Sequence, residues 1–155
     1  MYFYLIIVAA IIVDVASKIA IRLNLDFEEQ TEILGGLFRL VHLANTGSTG
    51  NMFHGWGRVL AVFVIVLTVA ALYWHRKGKI RGAYVQTAVA LIIGGALGNA
   101  IDRLAFNQVT DFLFFSAAAT MNFADIWVFA GILMLTARTI YRTIRPAAQG
   151  NDASS

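Results

Sequence analysis

The stretch AYVQTAVALIIGGALGNAI, from Ala83 to Ile101, decides the architecture of this chain. It carries no charged residue and is close to the roughly 20 apolar residues that a helix needs to cross about 30 Å of hydrocarbon. Asp102 and Arg103 follow it directly. A carboxylate at membrane depth costs several kcal/mol unless it is paired or has a function. The stretch therefore predicts a membrane span with a carboxylate site at its end.

Three further apolar runs resemble this one, at residues 2–21, 59–74 and 124–144. Only 14% of the residues are charged and the mean hydropathy is +0.70, which excludes an ordinary soluble domain. The runs do not alternate polar and apolar residues as the strands of a membrane β-barrel do. We therefore predict an all-α membrane protein with four transmembrane helices, forming a single domain over residues 1–145.

The first run is predicted to be a retained span rather than a cleaved signal peptide. It lacks a basic segment before the apolar stretch, and Asp14 and Lys18 interrupt it.

Basic residues predict the orientation of the four spans. They cluster between spans two and three and after span four: Arg76, Lys77, Lys79, Arg81, Arg142 and Arg145. The positive-inside rule places both clusters, and hence both termini, in the cytoplasm. Residues 24–58 and 102–122 should then lie outside. The small, polar tail at residues 146–155 is predicted to be disordered. A net charge of +3, clustered in this way, gives no indication of nucleic-acid binding.

The first outer segment is predicted to contain a small extracytoplasmic β-element, within about residues 24–56. Its stretch FRLVHLAN, from Phe38 to Asn45, alternates and is rich in β-favouring residues. The second outer segment carries the aromatic stretch DFLFF, from Asp111 to Phe115, which we expect to dip into the lipid beside the site.

Asp111 and Asp125 are the predicted catalytic pair. Both lie at the outer boundary, one after span three and one at the start of span four. Two carboxylates that are held close together cannot both ionise easily, so they share a proton. The ionised member can then deprotonate water while the protonated member polarises a carbonyl. The alternative for Asp125 is a simple helix-capping role.

Two polar groups near the outer ends of the spans are predicted to support this pair. Asp14 and Lys18 are four residues apart and share a helix face. They form either a neutralising salt bridge with Lys18 snorkelling outward, or a pair that orders the site. Asn99 and Asp102 share a face of span three. Arg103 is a candidate partner of Asp102, since an aspartate at a helix C-terminus needs compensation.

Asn122, Asn45 and Gly47 complete the candidate site. Asn122 precedes Asp125 by three residues and could orient it or cap the helix. Asn45 could donate to a substrate backbone and Gly47 permits close approach, although both residue types are also ordinary turn formers. The three histidines lack metal-ligand spacing, and cysteine is absent from the sequence, so we expect no metal and no cofactor.

Taken together, five motifs resemble those of the signal peptidase II family, the lipoprotein signal peptidases of bacterial membranes. In order they are DVASK (Asp14 to Lys18), HLANTG (His42 to Gly47), GGALGNAIDRL (Gly94 to Leu104), VTDF (Val109 to Phe112) and NFAD (Asn122 to Asp125). The resemblance covers about residues 10 to 137. It implies that Asp111 and Asp125 match the catalytic dyad, and that the other eight polar and glycine positions named above match supporting or substrate-binding residues.

The resemblance also implies a function. The family consists of aspartic endopeptidases that remove signal peptides from prolipoproteins, cutting before a cysteine that already carries diacylglycerol. It implies location in the bacterial inner or plasma membrane, a site at the outer face, contact with membrane lipid and inhibition by globomycin-like cyclic peptides. We expect a monomer.

The sequence departs from the family pattern in three places. NTGSTGNMF, from Asn45 to Phe53, is longer and more polar than usual, Met121 stands where phenylalanine is usual, and the stretch between Asp111 and Asp125 is short. The departures leave room for a divergent relative, and two alternatives to a peptidase stay open. One is a catalytically divergent, lipoprotein-binding paralogue, and the other is a proton-coupled transporter that uses the same carboxylates.

Overall fold

The computed structural model describes residues 1–35, 38–46, 55–116 and 119–151. Four helices run through these residues: α1 (Tyr2–Asn24), α2 (Gly57–Arg76), α3 (Ala83–Phe106) and α4 (Phe123–Asn151). All four are long and apolar enough to cross a membrane, with mean hydropathies between 1.5 and 2.3 over their most apolar windows. The predicted four-helix membrane architecture is confirmed.

Helix α3 lies at the centre of the bundle, where it packs against each of the other three helices. Small residues permit this packing, because helices in lipid associate through close backbone approach rather than through the hydrophobic effect. A Cβ at Gly94 would lie 2.7 Å from the Cβ of Ala10 in α1, and one at Gly95 would clash with the carbonyl oxygen of Ala124 in α4. These glycines therefore set the distance from α3 to both neighbours.

Gly98 provides a test of this packing. A Cβ there would lie 2.5 Å from Oδ2 of Asp14 and 3.1 Å from its Cγ, and Asp14 is fully buried. In an open helix position Gly→Ala stabilises by up to about 1 kcal/mol. Here we expect Gly98→Ala to destabilise by about 1–3 kcal/mol, as overpacking does. Unfolding in mixed detergent micelles measures this, and an equal or more stable variant would contradict the packing described.

Four antiparallel strands form one sheet at the end of the bundle where α1 ends and α4 begins. The strands are β1 (Gln30–Ile33), β2 (Phe38–Asn45), β3 (Val109–Ser116) and β4 (Ala119–Met121), in the order β1-β2-β3-β4. Pairing of Leu43 with Asp111 joins the segment between α1 and α2 to the segment between α3 and α4. The predicted β-element is therefore present but larger than expected.

The stretch from Asp111 to Phe115, which is expected to dip into the lipid beside the site, is part of this sheet. The stretch forms most of β3, with Phe112 buried and Phe115 exposed. Its β-favouring side chains point alternately to the two faces of the sheet. The edge of β2 provides the hydrogen-bonding partners, and the sequence of this segment alone does not reveal them.

The helices extend beyond the predicted spans. Helix α3 continues to Phe106. The next residue, Asn107, caps the helix: it adopts the left-handed conformation (φ 59°), and its N–H donates to the carbonyl oxygen of Arg103. Helix α4 continues to Asn151, so the predicted disordered tail is helical over residues 146–151. Ala147, Ala148 and Gln149 favour a helix, and Pro146 removes only one of its hydrogen bonds.

Candidate active site

Asp111 is held by two asparagine amides. It lies in β3, and only 5% of the residue is exposed. Asn45 Nδ2, from the end of β2, donates to its Oδ2 over 3.0 Å, and Asn122 Nδ2 donates to its Oδ1 over 2.7 Å. Both carboxylate oxygens therefore have a donor although the group is nearly removed from solvent.

Asp125 is the third residue of α4, and Asn122 immediately precedes that helix. The Asp125 N–H donates to Asn122 Oδ1 over 3.0 Å, while the Asn122 N–H donates to Asp125 Oδ2 over 3.2 Å. This reciprocal arrangement is a capping box, and it fixes the carboxylate against the start of the helix. Asn99 Nδ2 donates to the remaining oxygen, Oδ1, over 2.9 Å. The helix dipole also favours negative charge at this position.

Asn122 connects the two aspartates. One residue, fully buried, donates its side-chain amide to Asp111 and exchanges two hydrogen bonds with Asp125. The structure thus brings together, around one asparagine, two carboxylates that lie 14 positions apart in the sequence. Their catalytic role remains a prediction.

Asp14 and Lys18 lie beneath this site in a buried ion pair. Lys18 Nζ lies 2.7 Å from Asp14 Oδ2 and donates to Asn99 Oδ1 over 2.8 Å, and neither charged side chain is exposed. Asp14 Oδ1 accepts from the N–H of Ala124 over 2.8 Å. Lys18 therefore does not snorkel outward, because its strongest partners lie inside the bundle. Through Asn99 and Ala124 the pair contacts the residues that hold Asp125.

Asp102 pairs with Arg22 rather than with the expected Arg103. Arg22 Nη2 lies 2.7 Å from Asp102 Oδ1, Lys18 Nζ lies 3.5 Å from Oδ2, and the N–H of Thr110 donates to Oδ2 over 3.0 Å. These donors compensate for the unfavourable position of an aspartate near the end of α3. Arg22 follows Lys18 by four residues on α1, and that spacing was the signal in the sequence that could have identified it.

The positive charge of Arg103 acts on both members of the candidate dyad. Its charge interacts with Asp125, Asp111 and Asp102, in decreasing order. Within the described part of the chain it forms no ion pair shorter than 4.0 Å. Arg103 thus provides positive potential near both members of the pair.

Gly47 and the residues 47–53 of the altered loop lie outside the described residues. His42 bonds to the carbonyl oxygen of Leu25 over 3.0 Å. Across the described ranges, no group of three or more His, Cys, Asp or Glu residues is arranged to hold a metal ion.

Burial raises the pKa of Asp111 from 3.8 to about 6. The hydrogen bonds from Asn45 and Asn122 and the charge of Lys18 partly offset this effect, while the negative charge of Asp125 adds to it. Asp111 is therefore suited to keep a proton under mildly acidic conditions in which an exposed aspartate has lost it.

This raised pKa predicts a pH dependence of stability. Below a pH of about 4, Asp111 is protonated in both the folded and the unfolded states, so it does not change the free energy of unfolding. As the pH rises to about 6, only the unfolded chain releases the proton, so the folded state loses stability, by about 3 kcal/mol at about 1.4 kcal/mol for each pKa unit. Unfolding free energies measured between pH 4 and 7 should show this decline in the parent but not in Asp111→Asn. Equal slopes in the two proteins would contradict it.

The fold is similar to those of two solved structures, each described as a bacterial membrane enzyme. One, determined by the in meso method at 2.3 Å resolution, aligns with a TM-score of 0.83 and 23% identity over 92% of this chain and 89% of that chain. The other, at 1.9 Å, aligns with a TM-score of 0.78 and 24% identity over 89% and 92%.

Sequence relatives are named lipoprotein signal peptidase. The protein from Symbiobacterium thermophilum is 35% identical over 83% of this chain and 87% of its own length. The protein from Gloeobacter violaceus is 30% identical over 99% of this chain and 90% of its own length. The model of the family described as signal peptidase (SPase) II matches residues 6–141. The chain is therefore a multi-pass bacterial membrane protein that belongs to the signal peptidase II family.

Proposed function

We propose that this protein is an intramembrane aspartic endopeptidase that removes the signal peptide from diacylglyceryl-modified prolipoproteins, cutting before the lipidated cysteine. The observation that carries this proposal is the arrangement of Asp111 and Asp125 around Asn122, at one end of four membrane-length helices. The lipoprotein signal peptidases to which the chain is similar support the choice of substrate.

The geometry favours a division of roles between the two carboxylates. Burial raises the pKa of Asp111 to about 6, so Asp111 is the member of the pair suited to carry the shared proton. Asp125 accepts from Asn99 Nδ2 and from the Asn122 N–H at the start of a helix, and these groups stabilise its negative charge. Asp125 therefore acts as the general base and Asp111 as the general acid.

The reaction then needs only water and the substrate. Asp125 takes a proton from water as the water oxygen attacks the peptide carbonyl carbon, and Asp111 gives its proton to the carbonyl oxygen. In the second step the proton on Asp125 moves to the amide nitrogen as the C–N bond breaks, and Asp111 recovers its proton from the collapsing hydroxyl. The products are a signal peptide with a free carboxyl group and a lipoprotein that begins at the lipidated cysteine.

The location of the dyad fits a substrate that is held by the membrane. The signal sequence of a prolipoprotein lies in the bilayer as a helix, and its diacylglyceryl group stays in the lipid. We propose that the dyad lies at the outer face, as the basic loop between α2 and α3 at the opposite end of the bundle indicates. A site at the end of the spans then meets the scissile bond where the signal sequence leaves the membrane.

The test uses purified protein in lipid nanodiscs and a prolipoprotein prepared with and without the diacylglyceryl group. We expect cleavage of the lipidated form only, with mass spectrometry placing the new N-terminus at the lipidated cysteine, and inhibition by a globomycin-like cyclic peptide. A protein that binds the lipidated substrate without cleaving it would overturn the endopeptidase proposal and favour a binding relative.

A further inference from the structure

A groove between α3 and α4 lies at the end of the bundle opposite the dyad. It has a volume of about 560 Å³ and a predominantly apolar lining. Its lining residues come from the start of α3, with the residue that precedes it, and from the last turns of the membrane-length part of α4, residues 123–144: Gly82, Ala83, Tyr84, Ala137, Arg138 and Tyr141. At 1.5 Å per residue, the groove lies about 20–30 Å along the helices from the dyad. It therefore belongs to a separate part of the molecule.

The surroundings of the groove are strongly basic. We call this part of the molecule the basic end, and it carries seven of the twelve Lys and Arg residues: Arg76, Lys77, Lys79, Arg81, Arg138, Arg142 and Arg145. The acidic residues of the described ranges lie elsewhere: Asp14 in the second half of α1, Asp102 near the end of α3, Asp125 at the start of α4, and the other five in the segments that carry the sheet. The basic end therefore attracts an anion.

Arg138 is the charged group of the groove itself. It is partly buried, and among the described residues it has no carboxylate within 4.0 Å. Arg142 follows it by one helical turn on the same face of α4. A partly buried guanidinium beside an apolar groove fits a ligand that has both an anionic group and apolar chains.

The groove is reached from the bilayer. Its walls belong to helices of membrane length, and Tyr84 and Tyr141 are 47% and 60% exposed beside it. Tyrosines in such positions are typical of the membrane interface, where the ring lies at the level of the lipid headgroups. A ligand that enters here comes from the surrounding lipid, which favours a phospholipid over a peptide.

We propose that this groove binds one anionic phospholipid, with its phosphate on Arg138 and an acyl chain against the apolar lining of the groove. Basic pockets between transmembrane helices bind anionic headgroups in this manner. The proposal concerns the basic end only and does not depend on the proposed peptidase function.

The test measures lipid binding by native mass spectrometry of the detergent-solubilised protein with phosphatidylglycerol and phosphatidylcholine of matched chains. We expect one phosphatidylglycerol to be retained in preference to phosphatidylcholine. Arg138→Gln should lower that preference about fivefold, as expected for one arginine near a headgroup, and Arg138→Lys should retain most of it. Arg76→Gln, which removes the same charge from the same end but not from the groove, should leave it unchanged.

A further variant distinguishes lipid binding in the groove from attraction of lipid by general surface charge. Ala137→Phe fills the groove and keeps every charge, so it should reduce retention of both lipids. Equal loss of preference in Arg76→Gln and Arg138→Gln, or full retention in Ala137→Phe, would overturn the proposal. Displacement of phosphatidylglycerol by inorganic phosphate, or a second copy of the chain bound at the groove in place of lipid, would also overturn it.

Discussion

Asp111→Asn and Asp125→Asn are each expected to reduce the rate of prolipoprotein cleavage by about 10³-fold, within the 10²–10⁴-fold that a positioned general acid or base provides. Asparagine keeps the size of the side chain but cannot take up or release the proton that the reaction requires. The measurement is single-turnover cleavage of lipidated prolipoprotein in nanodiscs, which separates chemistry from binding.

Three comparisons make this result interpretable. Asp26→Asn is the matched control, because Asp26 is exposed and lies outside the site network, and it should cleave at the parental rate. The double variant should be no slower than the slower single variant, since the proposed mechanism uses the two carboxylates as one unit. Binding of the lipidated substrate should persist in all variants. A single variant that keeps more than a tenth of the parental rate would contradict the dyad.

Periodic and apolar features of the fold could be predicted from the sequence. The spans follow from uninterrupted apolar runs, and β2 follows from the alternation of Phe38 to Asn45. Strand β3 was missed because its pairing with β2 joins segments that are separated by two whole helices. Local propensity cannot reveal such a partner, since β-structure depends on the neighbouring strand.

The candidate site could be predicted as a set of residues but not as a network. Spacing along one helix places Asp14 with Lys18, and Asn99 with Asp102. It does not show that Lys18 bonds to Asn99, or that Arg22 replaces Arg103 as the partner of Asp102. These contacts depend on how closely α1 approaches α3, which small residues such as Gly94 and Gly98 determine.

Lys18→Met is expected to destabilise the protein by about 3–5 kcal/mol, the cost of breaking a buried ion pair on one side. Methionine fills a similar volume but removes the positive charge that lies 2.7 Å from Asp14 and 3.5 Å from Asp102. Asp102 keeps Arg22, whereas the side chain of Asp14 keeps, among the described residues, only the N–H of Ala124. The loss is measured by unfolding in mixed detergent micelles at constant pH.

Adding Asp14→Asn to Lys18→Met should recover most of this loss, because it removes the unpaired carboxylate. Arg22→Met is the comparison at the edge of the network: its side chain is 21% exposed, so it should cost less than Lys18→Met. Cleavage should not recover with stability, since the double variant still lacks the ammonium that bonds to Asn99 Oδ1 and directs its Nδ2 toward Asp125. A double variant that regains full activity would show that Lys18 serves stability alone, and one as unstable as Lys18→Met would show that the unpaired Asp14 is not the source of the loss.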